Sequence, residues 1–504
     1  MRLAVNVRRL LQLRYRGLPA GTSLAADAKF RMGTSTINQS KETFMAVSRD
    51  ESSRAVDYVP EPNSKGSESN IAKARLFVER HLKRSLLRRL SLVTLGVAIG
   101  QIIILLASPL ITRLFDPASL GLFGLFSSTA FLFGNISGLR YDMGIVLAKS
   151  NQMAAAVLVL CCIVISLFSM IVTFVLISGG NTVLAGFTGS ADLPDLLTWL
   201  PLQMATIGFS FVMSQWATRK QNFLPLAKSQ VAKALFTVAV QVGSGLLVLG
   251  APGLVVGQVL GFGMAAFWLG WMIPATDWRL FWVALSSRRR LKTAANRFRS
   301  LPMFSTPQEL LASASQPLTM LIIGANFGPA TVGFFWLTQR IMQQPGNFVG
   351  QALRQVYVQH LASLYNSGKD ISASIFKATI LLLAGGMMCM APILVFGPEV
   401  FSFLFGASWV EAGAFARWMA IWVVALLANI PAWCGLQAMR LQGRALLWEM
   451  GTVGIQTGSL CLLALTADAE YAVAGYAIAG AFMFMARACY SYRQAVFAKK
   501  MSTT

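Results

Sequence analysis

The chain has 504 residues, 55% of them hydrophobic and only 12% charged, with a mean hydropathy of +0.59. An ordinary globular domain carries about twice that charge fraction, so one large soluble core is excluded and the long apolar runs mark a polytopic membrane protein. A net charge of +23 would point to nucleic acid in a soluble chain; here the placement of the basic residues decides what it means.

Residues 1–84 mix Ser, Thr, Asn, Lys and Arg with few large apolar groups after residue 30, and read as a disordered, basic cytoplasmic tail. The first 31 residues carry seven basic residues and one acid, the balance of an organelle transit peptide. A plain tail, or a start at Met32 or Met45, explains the segment more simply. In IAKARLFVERHLKRSLLRRL (71–90), apolar residues recur at helical spacing among basic ones, as in a helix lying along the inner membrane face.

Twelve apolar runs follow, near 90–112, 119–139, 153–177, 195–217, 229–249, 252–273, 304–324, 329–353, 373–396, 413–436, 443–465 and 471–492. Each matches the ~20 helical residues that cross a hydrocarbon core, and helices satisfy the backbone without barrel-type alternation. The turns GAPG (250–253) and NFGP (326–329) are short, and their Pro and Gly favour hairpins over single long helices.

The basic residues test the count. Even-numbered connections hold Arg140 and Lys149; Arg219, Lys220 and Lys228; a cluster from Arg279 to Arg299; Arg354, Lys369 and Lys377; and Arg440 with Arg444. Both ends of the membrane region are basic too, with Arg80, Lys83, Arg84, Arg88 and Arg89 before the first run and Arg487, Arg493, Lys499 and Lys500 counted at the end of the last. Odd-numbered connections hold Arg113 and Arg417, beside the acids Asp192, Asp195, Glu399, Glu411, Asp468 and Glu470. The positive-inside rule therefore puts both termini and the 274–303 connection in the cytoplasm. The net charge is chiefly an orientation signal, with an added pull toward anionic headgroups, and no nucleic-acid partner is expected.

Six cysteines, Cys161, Cys162, Cys389, Cys434, Cys461 and Cys489, fall in apolar runs without metal-ligand or disulfide spacing. The histidines, His81 and His360, lie at cytoplasmic edges. No nucleotide fingerprint, paired catalytic carboxylates or nucleophile elbow occurs. The chain reads as a non-enzyme with no cofactor and no metal, and transport would draw on an ion gradient or the substrate's own gradient.

Polar groups inside the membrane are costly and mark function. The fullest set is in FGPATVGFFWLTQRIMQQPGNFVGQALRQ, where Arg340, Gln344, Asn347, Gln351 and Arg354 follow i, i+4, i+7, i+11, i+14 and share a helix face. Arg340 stands near mid-span and Arg354 near the cytoplasmic mouth. Such a stripe suits a hydrated cavity for an anionic, hydroxyl-rich substrate, because arginine binds phosphate through a two-donor fork. The alternative is helix–helix hydrogen bonding, with Arg340 paired to a buried acid. Pro345 would loosen this helix at its centre. In FSTPQELLASASQPLTM, Glu309, Ser313 and Gln316 share a face, and Pro307 and Pro317 are expected to break the helix. Glu309 is the best partner for an intramembrane arginine and the best candidate for a coupling proton or cation. Gln203, Thr206, Ser210 and Ser214, and likewise Gln101, Ser108 and Thr112, are expected only to line a cavity or to bond the backbone.

The runs divide six and six around 274–303. The expected architecture is all-α: 12 transmembrane helices in two six-helix lobes around a central cavity, related as parallel repeats. The boundaries are an N-lobe at 85–273, a basic linker at 274–303, a C-lobe at 304–493 and a tail at 494–504.

Four stretches carry a family resemblance: GQIIILLASPLITRLFDPASLGLFGLF (100–126), GLRYDMGIVLAKS (138–150), RFRSLPMFSTPQELLASASQPLTMLIIGANFGPATVGFF (297–335) and QRIMQQPGNFVGQALRQV (339–356). In this order and topology the chain resembles the polysaccharide (oligosaccharide repeat-unit) flippases, Wzx-type, of the MOP superfamily; residues 1–84 have no counterpart. The resemblance implies a bacterial inner-membrane protein that moves undecaprenyl-diphosphate-linked repeat units to the periplasmic leaflet for surface polysaccharide, exopolysaccharide or O-antigen. It also implies rocking lobes, coupling to a cation gradient, and work beside a polymerase and chain-length machinery. Related peptidoglycan-precursor flippases usually have fourteen spans, and twelve argues against that branch.

Arg140, Tyr141 and Asp142 then fall at the cytoplasmic end of the second span, where a lipid diphosphate would first arrive. Arg140 is expected either to capture it or to be a positive-inside anchor paired locally with Asp142. Three other readings remain open, one of them a non-transporting membrane scaffold, in which a polar stripe through the bilayer would be a costly ornament. A MATE-like drug or metabolite exporter usually takes cationic substrates, which an arginine-bearing interior opposes. A membrane-embedded polymerase would present large catalytic loops, and the outside loops here are short.

Overall fold

The computed structural model describes residues 93–180, 193–367 and 370–503, less the side chains at 312, 345, 347–349, 351, 352, 355 and 499–503. The expected tail at 1–84 and the basic stretch 71–90 lie outside the described residues. Among those described, every regular element is helical. In order these are α1 Val93–Leu114, α2 Pro117–Ile136, α3 Asp142–Leu147, α4 Asn151–Val175, α5 Leu193–Leu197, α6 Leu200–Arg219, α7 Phe223–Leu246 and α8 Gly250–Trp271. Then come α9 Ala275–Leu285, α10 Arg288–Arg297, α11 Thr306–Asn366, α12 Ser372–Phe405, α13 Val410–Ala428, α14 Ile430–Ala438, α15 Gln442–Ala464 and α16 Ala469–Thr503.

Ten stretches among the described residues are long and apolar enough to cross a membrane, and the chain is a multi-pass membrane protein. The expected spans 304–324 and 329–353 fall together in one of them, Leu301–Gln344, while 443–465 corresponds to α15, which is not among the ten. Arg444, Glu449 and a run of Gly, Thr and Gln lower the hydropathy of α15.

Local chemistry sets the turns. Asp116 caps α2 by accepting from the Ala118 and Ser119 amides at 3.1 and 3.2 Å, with Pro117 in the first turn. α11 reverses at Gly328, whose φ of 82° is open to glycine. Eight residues of straight helix rise about 12 Å, yet a Cβ on Gly324 would stand 3.3 Å from Val332 Cγ2. The NFGP hairpin is therefore real. The other turn falls at Leu247–Leu249, just before GAPG, with Val248 and Gly250 at φ 54° and 60°. Pro307 lies in the first turn of α11, behind a π-type turn at Leu301–Ser305, and the helix runs on through Pro317. The expected break there does not occur.

Following the chain, the turns after α1, α7 and α12 and the reversal at Gly328 gather at one end, here the hairpin end. Arg140, Lys149, Arg219 and helices α9 and α10 gather at the other, the basic end. The segment expected as a linker is packed against α4: Phe281, Ala284 and Ala294 are buried with Tyr141, Ile145 and Ala154. Trp216 meets Phe281 edge-on at 4.8 Å and donates to Asp277, which also pairs with Lys220 at 2.8 Å.

The N half (residues before α9) meets the C half (α11 onward) chiefly through α2 and α11. Small residues let these backbones approach: a Cβ on Gly121 would collide with the Pro329 carbonyl oxygen, and one on Gly333 with that of Pro117. Trp409, fully buried, donates its indole N–H to the Thr112 carbonyl at 3.0 Å and ties the hairpin end together.

Candidate functional site

Arg340 lies eleven residues beyond Pro329 on α11. That is about 16 Å from the hairpin turn, or mid-depth in a ~30 Å core. Its guanidinium stacks 4.8 Å over the Trp336 ring. Trp336 in turn meets Phe123 of α2 edge-on at 5.4 Å and fills the space beside Gly124. Arg340 is thus held where the two halves touch. Among the described residues no carboxylate lies within ion-pair distance of it. Its charge is offset by an aromatic face and not neutralised.

Gln344 donates to the Arg340 carbonyl at 3.0 Å, and its Oε1 is buried without a partner among the described residues. Arg354 is 25 residues past Pro329, about 38 Å along the helix and so beyond the hydrocarbon at the basic end. It stacks 5.3 Å over Trp433 of α14, inside the C half. The two arginines of the stripe therefore rest on different rings, one between the halves and one within a half. The side chains of Asn347 and Gln351 lie outside those described.

The Arg140 triplet sits in a tight turn between α2 and α3. Leu139 and Arg140 both take left-handed φ, 47° and 56°, a conformation that costs a non-glycine residue about 1–2 kcal/mol. Arg219 fixes the neighbouring turn by donating to the Ile145 and Ala148 carbonyls at 2.9 and 2.7 Å. The turn aims Arg140 across to the other half, where Nη2 stands 3.8 Å from Glu309 Oε2. Glu309 lies in the first turn of α11 and also accepts from Ser313 at 3.2 Å. The expected pairing of Glu309 with Arg340 is not formed, because Glu309 is at the basic-end mouth and Arg340 is at mid-depth. Asp142 is buried beside Arg140. Burial raises its carboxyl above the usual range, against the pull of Arg140 and a hydrogen bond from Gln215.

The hydroxyls of α6 bond backward as expected: Thr206, Ser210 and Ser214 donate to carbonyls three or four residues earlier. Two cations escaped the sequence reading. Lys233, ten residues into α7, stacks 4.6 Å over Phe262 with no carboxylate within ion-pair distance among the described residues. Arg487, taken as a charge at the end of the last span, is 3% exposed inside the C half. Both lie inside apolar runs, and that position was the signal available.

Several solved structures share this fold. A multidrug resistance MATE family transporter of the MOP superfamily, inward-facing, matches at a TM-score of 0.66 and 15% identity, over 81% of this chain and 99% of that one. The lipid II flippase MurJ, inward closed, matches at 0.61 and 12% identity over 79% and 86%. A MOP superfamily transporter from Pyrococcus furiosus matches at 0.51 and 14% identity over 82% and 96%. None of the curated proteins matches the chain. The family described as "Polysaccharide biosynthesis protein" matches residues 110–414. That is well over half of the sequence, and the chain belongs to this family of polysaccharide biosynthesis proteins.

Proposed function

We propose that the protein is a flippase that carries a polyprenyl-diphosphate-linked oligosaccharide from the cytoplasmic to the outer leaflet of a bacterial inner membrane, with both termini cytoplasmic. The observation that carries this is Arg340, a mid-membrane guanidinium at the contact between the halves without a neutralising carboxylate among the described residues. An intramembrane charge is costly and faces a cavity or a partner. A diphosphate supplies the missing anion, and arginine takes it through a fork. Membership of a polysaccharide biosynthesis family and the MOP transporter fold support a lipid-linked glycan as cargo.

The interface supports alternating access. The halves are clasped at the hairpin end by close glycine packing and the Trp409–Thr112 bond. At the basic end, among the described residues, the ion pair between them is Arg140–Glu309. With the basic end cytoplasmic, this state loads from inside, Arg140 stands at the entrance, and its pair with Glu309 is the contact that must part there. Coupling to a cation gradient enters at that pair.

Deletion of the gene in its host, followed by extraction of lipid-linked saccharides and labelling from the periplasmic side, tests the reading. Unpolymerised units trapped inside, and released by the wild-type gene but not by Arg340→Ala at equal abundance, are expected. Normal pools and normal surface polysaccharide would overturn it.

A further inference from the structure

A cavity of about 340 Å³ lies inside the C half toward the basic end, bordered by α11, α14, α15 and α16. Its size is at the small end of the range of ligand pockets. Arg487 borders it while almost wholly buried: Nε donates to Asn429 Oδ1 at 2.9 Å and Nη1 to Glu449 Oε2 at 2.7 Å. Arg354 lines the same cavity over Trp433, with no carboxylate within ion-pair distance among the described residues. Gln437 and Gln442 add amide groups to the wall. Across α13 and α16, by contrast, a second cavity is lined by apolar side chains alone, Met390, Val424 and Phe482 among them. That one suits a lipid chain, and the polar one does not.

The cleft gathers two guanidiniums, three amides and one carboxylate. The Arg487–Glu449 pair joins a buried guanidinium to a carboxylate that is 58% exposed at the mouth of the cleft, so Glu449 keeps an oxygen open to whatever enters. Two guanidiniums against one carboxylate leave one positive charge. A phosphate monoester brings nearly two negative charges, one more than the cleft balances. A sugar with a carboxylate brings one charge and a ring of hydroxyls, and the cleft offers one fork and several planar amide and carboxylate groups.

We propose that this cleft binds an acidic, carboxylate-bearing sugar of the translocated glycan, an inference that rests on the flippase reading. Arg354 takes the carboxylate, Gln437, Gln442 and the free oxygen of Glu449 take hydroxyls, and Asn429 holds Arg487 in position. Arg340 and Arg354 are fourteen residues, or about 21 Å, apart along α11. The acidic sugar is therefore not the one bonded to the diphosphate.

The full-length protein in nanodiscs is titrated with methyl β-D-glucuronide, methyl β-D-glucoside and inorganic phosphate, and binding is read by saturation-transfer NMR. The glucuronide is expected to bind about tenfold more tightly than the glucoside. Glu449→Gln keeps the shape of the cleft and adds one net positive charge, so it raises the preference for glucuronide over glucoside about threefold, any change in the shared hydroxyl contacts acting on both alike. Arg354→Gln erases the preference; should that variant not fold, Glu449→Gln still decides. Equal binding of the two glycosides, a preference that survives Arg354→Gln, or phosphate binding in place of glucuronide overturns the assignment. If flipping fails on gene deletion as expected but no glucuronide preference is found, only this inference falls. If the preference holds while deletion leaves flipping normal, the sugar site stands and the flippase reading falls.

Discussion

Gly333→Ala tests the clasp between the halves. The added Cβ would collide with the Pro117 carbonyl oxygen and stand 3.0 Å from the Gly121 amide nitrogen. Both are backbone atoms, so no side-chain rotation relieves the contact and α2 must separate from α11 by roughly an ångström. Overpacking of this kind costs about 1–3 kcal/mol, and all of it falls on the state in which these helices touch. The equilibrium between clasped and separated hairpin ends then shifts by a factor of about 5–150. Spin labels at Leu249→Cys and Phe403→Cys, exposed on opposite halves, report the separation by double electron–electron resonance in a background without the six native cysteines. A longer distance population and at least tenfold slower flipping are expected. Gly458→Ala is the control: nothing lies within 4 Å of its Cβ, and alanine gains about 1 kcal/mol of helix propensity. An unshifted distance distribution and an unchanged melting temperature in Gly333→Ala would refute the clasp.

Charge exchange tests the entrance pair: Arg140→Glu and Glu309→Arg each slow flipping, and the double exchange restores it. The half-exposed pair has a net worth of about 1 kcal/mol, a several-fold effect on rate. If Arg140 is only an orientation anchor, Glu309→Gln leaves rates unchanged. Lys233→Leu removes an uncompensated mid-membrane ammonium and raises thermal stability by about 2–3 kcal/mol while impairing transport; a stabilised variant with full transport would make Lys233 dispensable. Asp142 has a raised carboxyl pKa in the folded protein, so folding takes up a proton and stability falls as pH rises from 3.8 toward the raised value. Asp142→Asn flattens that dependence in detergent melting curves, and an unaltered slope assigns it to other groups.

The helix pattern was legible because crossing a bilayer leaves few options. Length, apolarity and the side on which arginines fall placed nearly every span, and Gly-Pro chemistry placed the reversal at 326–329. The sequence misled where a residue's role depends on what packs against it. Glu309 and Arg340 looked like partners when only their apolar surroundings were counted, yet they stand at different depths, and Glu309 meets Arg140 from a distant part of the chain. Helical spacing put Arg340 and Arg354 on one face, but a face nearly four turns long passes from the contact between halves to a ring, Trp433, that belongs to one half alone. Arg487 read as an end charge because its partners, Asn429 and Glu449, come from two other helices. The segment 274–303 read as a loop because its seven basic residues dominated the reading, yet Phe281, Ala284 and Ala294 anchor two packed helices.

The docking of α9 and α10 on α4 has a mechanical consequence. What joins the halves covalently is not a thirty-residue loop but the eight residues between Arg297 and Thr306, part of them coiled. Eight residues span at most about 27 Å when fully drawn out. The chain is therefore a tether across the basic end, and it sets an upper bound on how far that mouth can gape. On the proposed flippase reading, the length of this strap limits the bulk of a headgroup that can enter, and inserting Gly-Ser residues after Arg299 is expected to widen the range of glycans accepted without touching any group proposed to bind them.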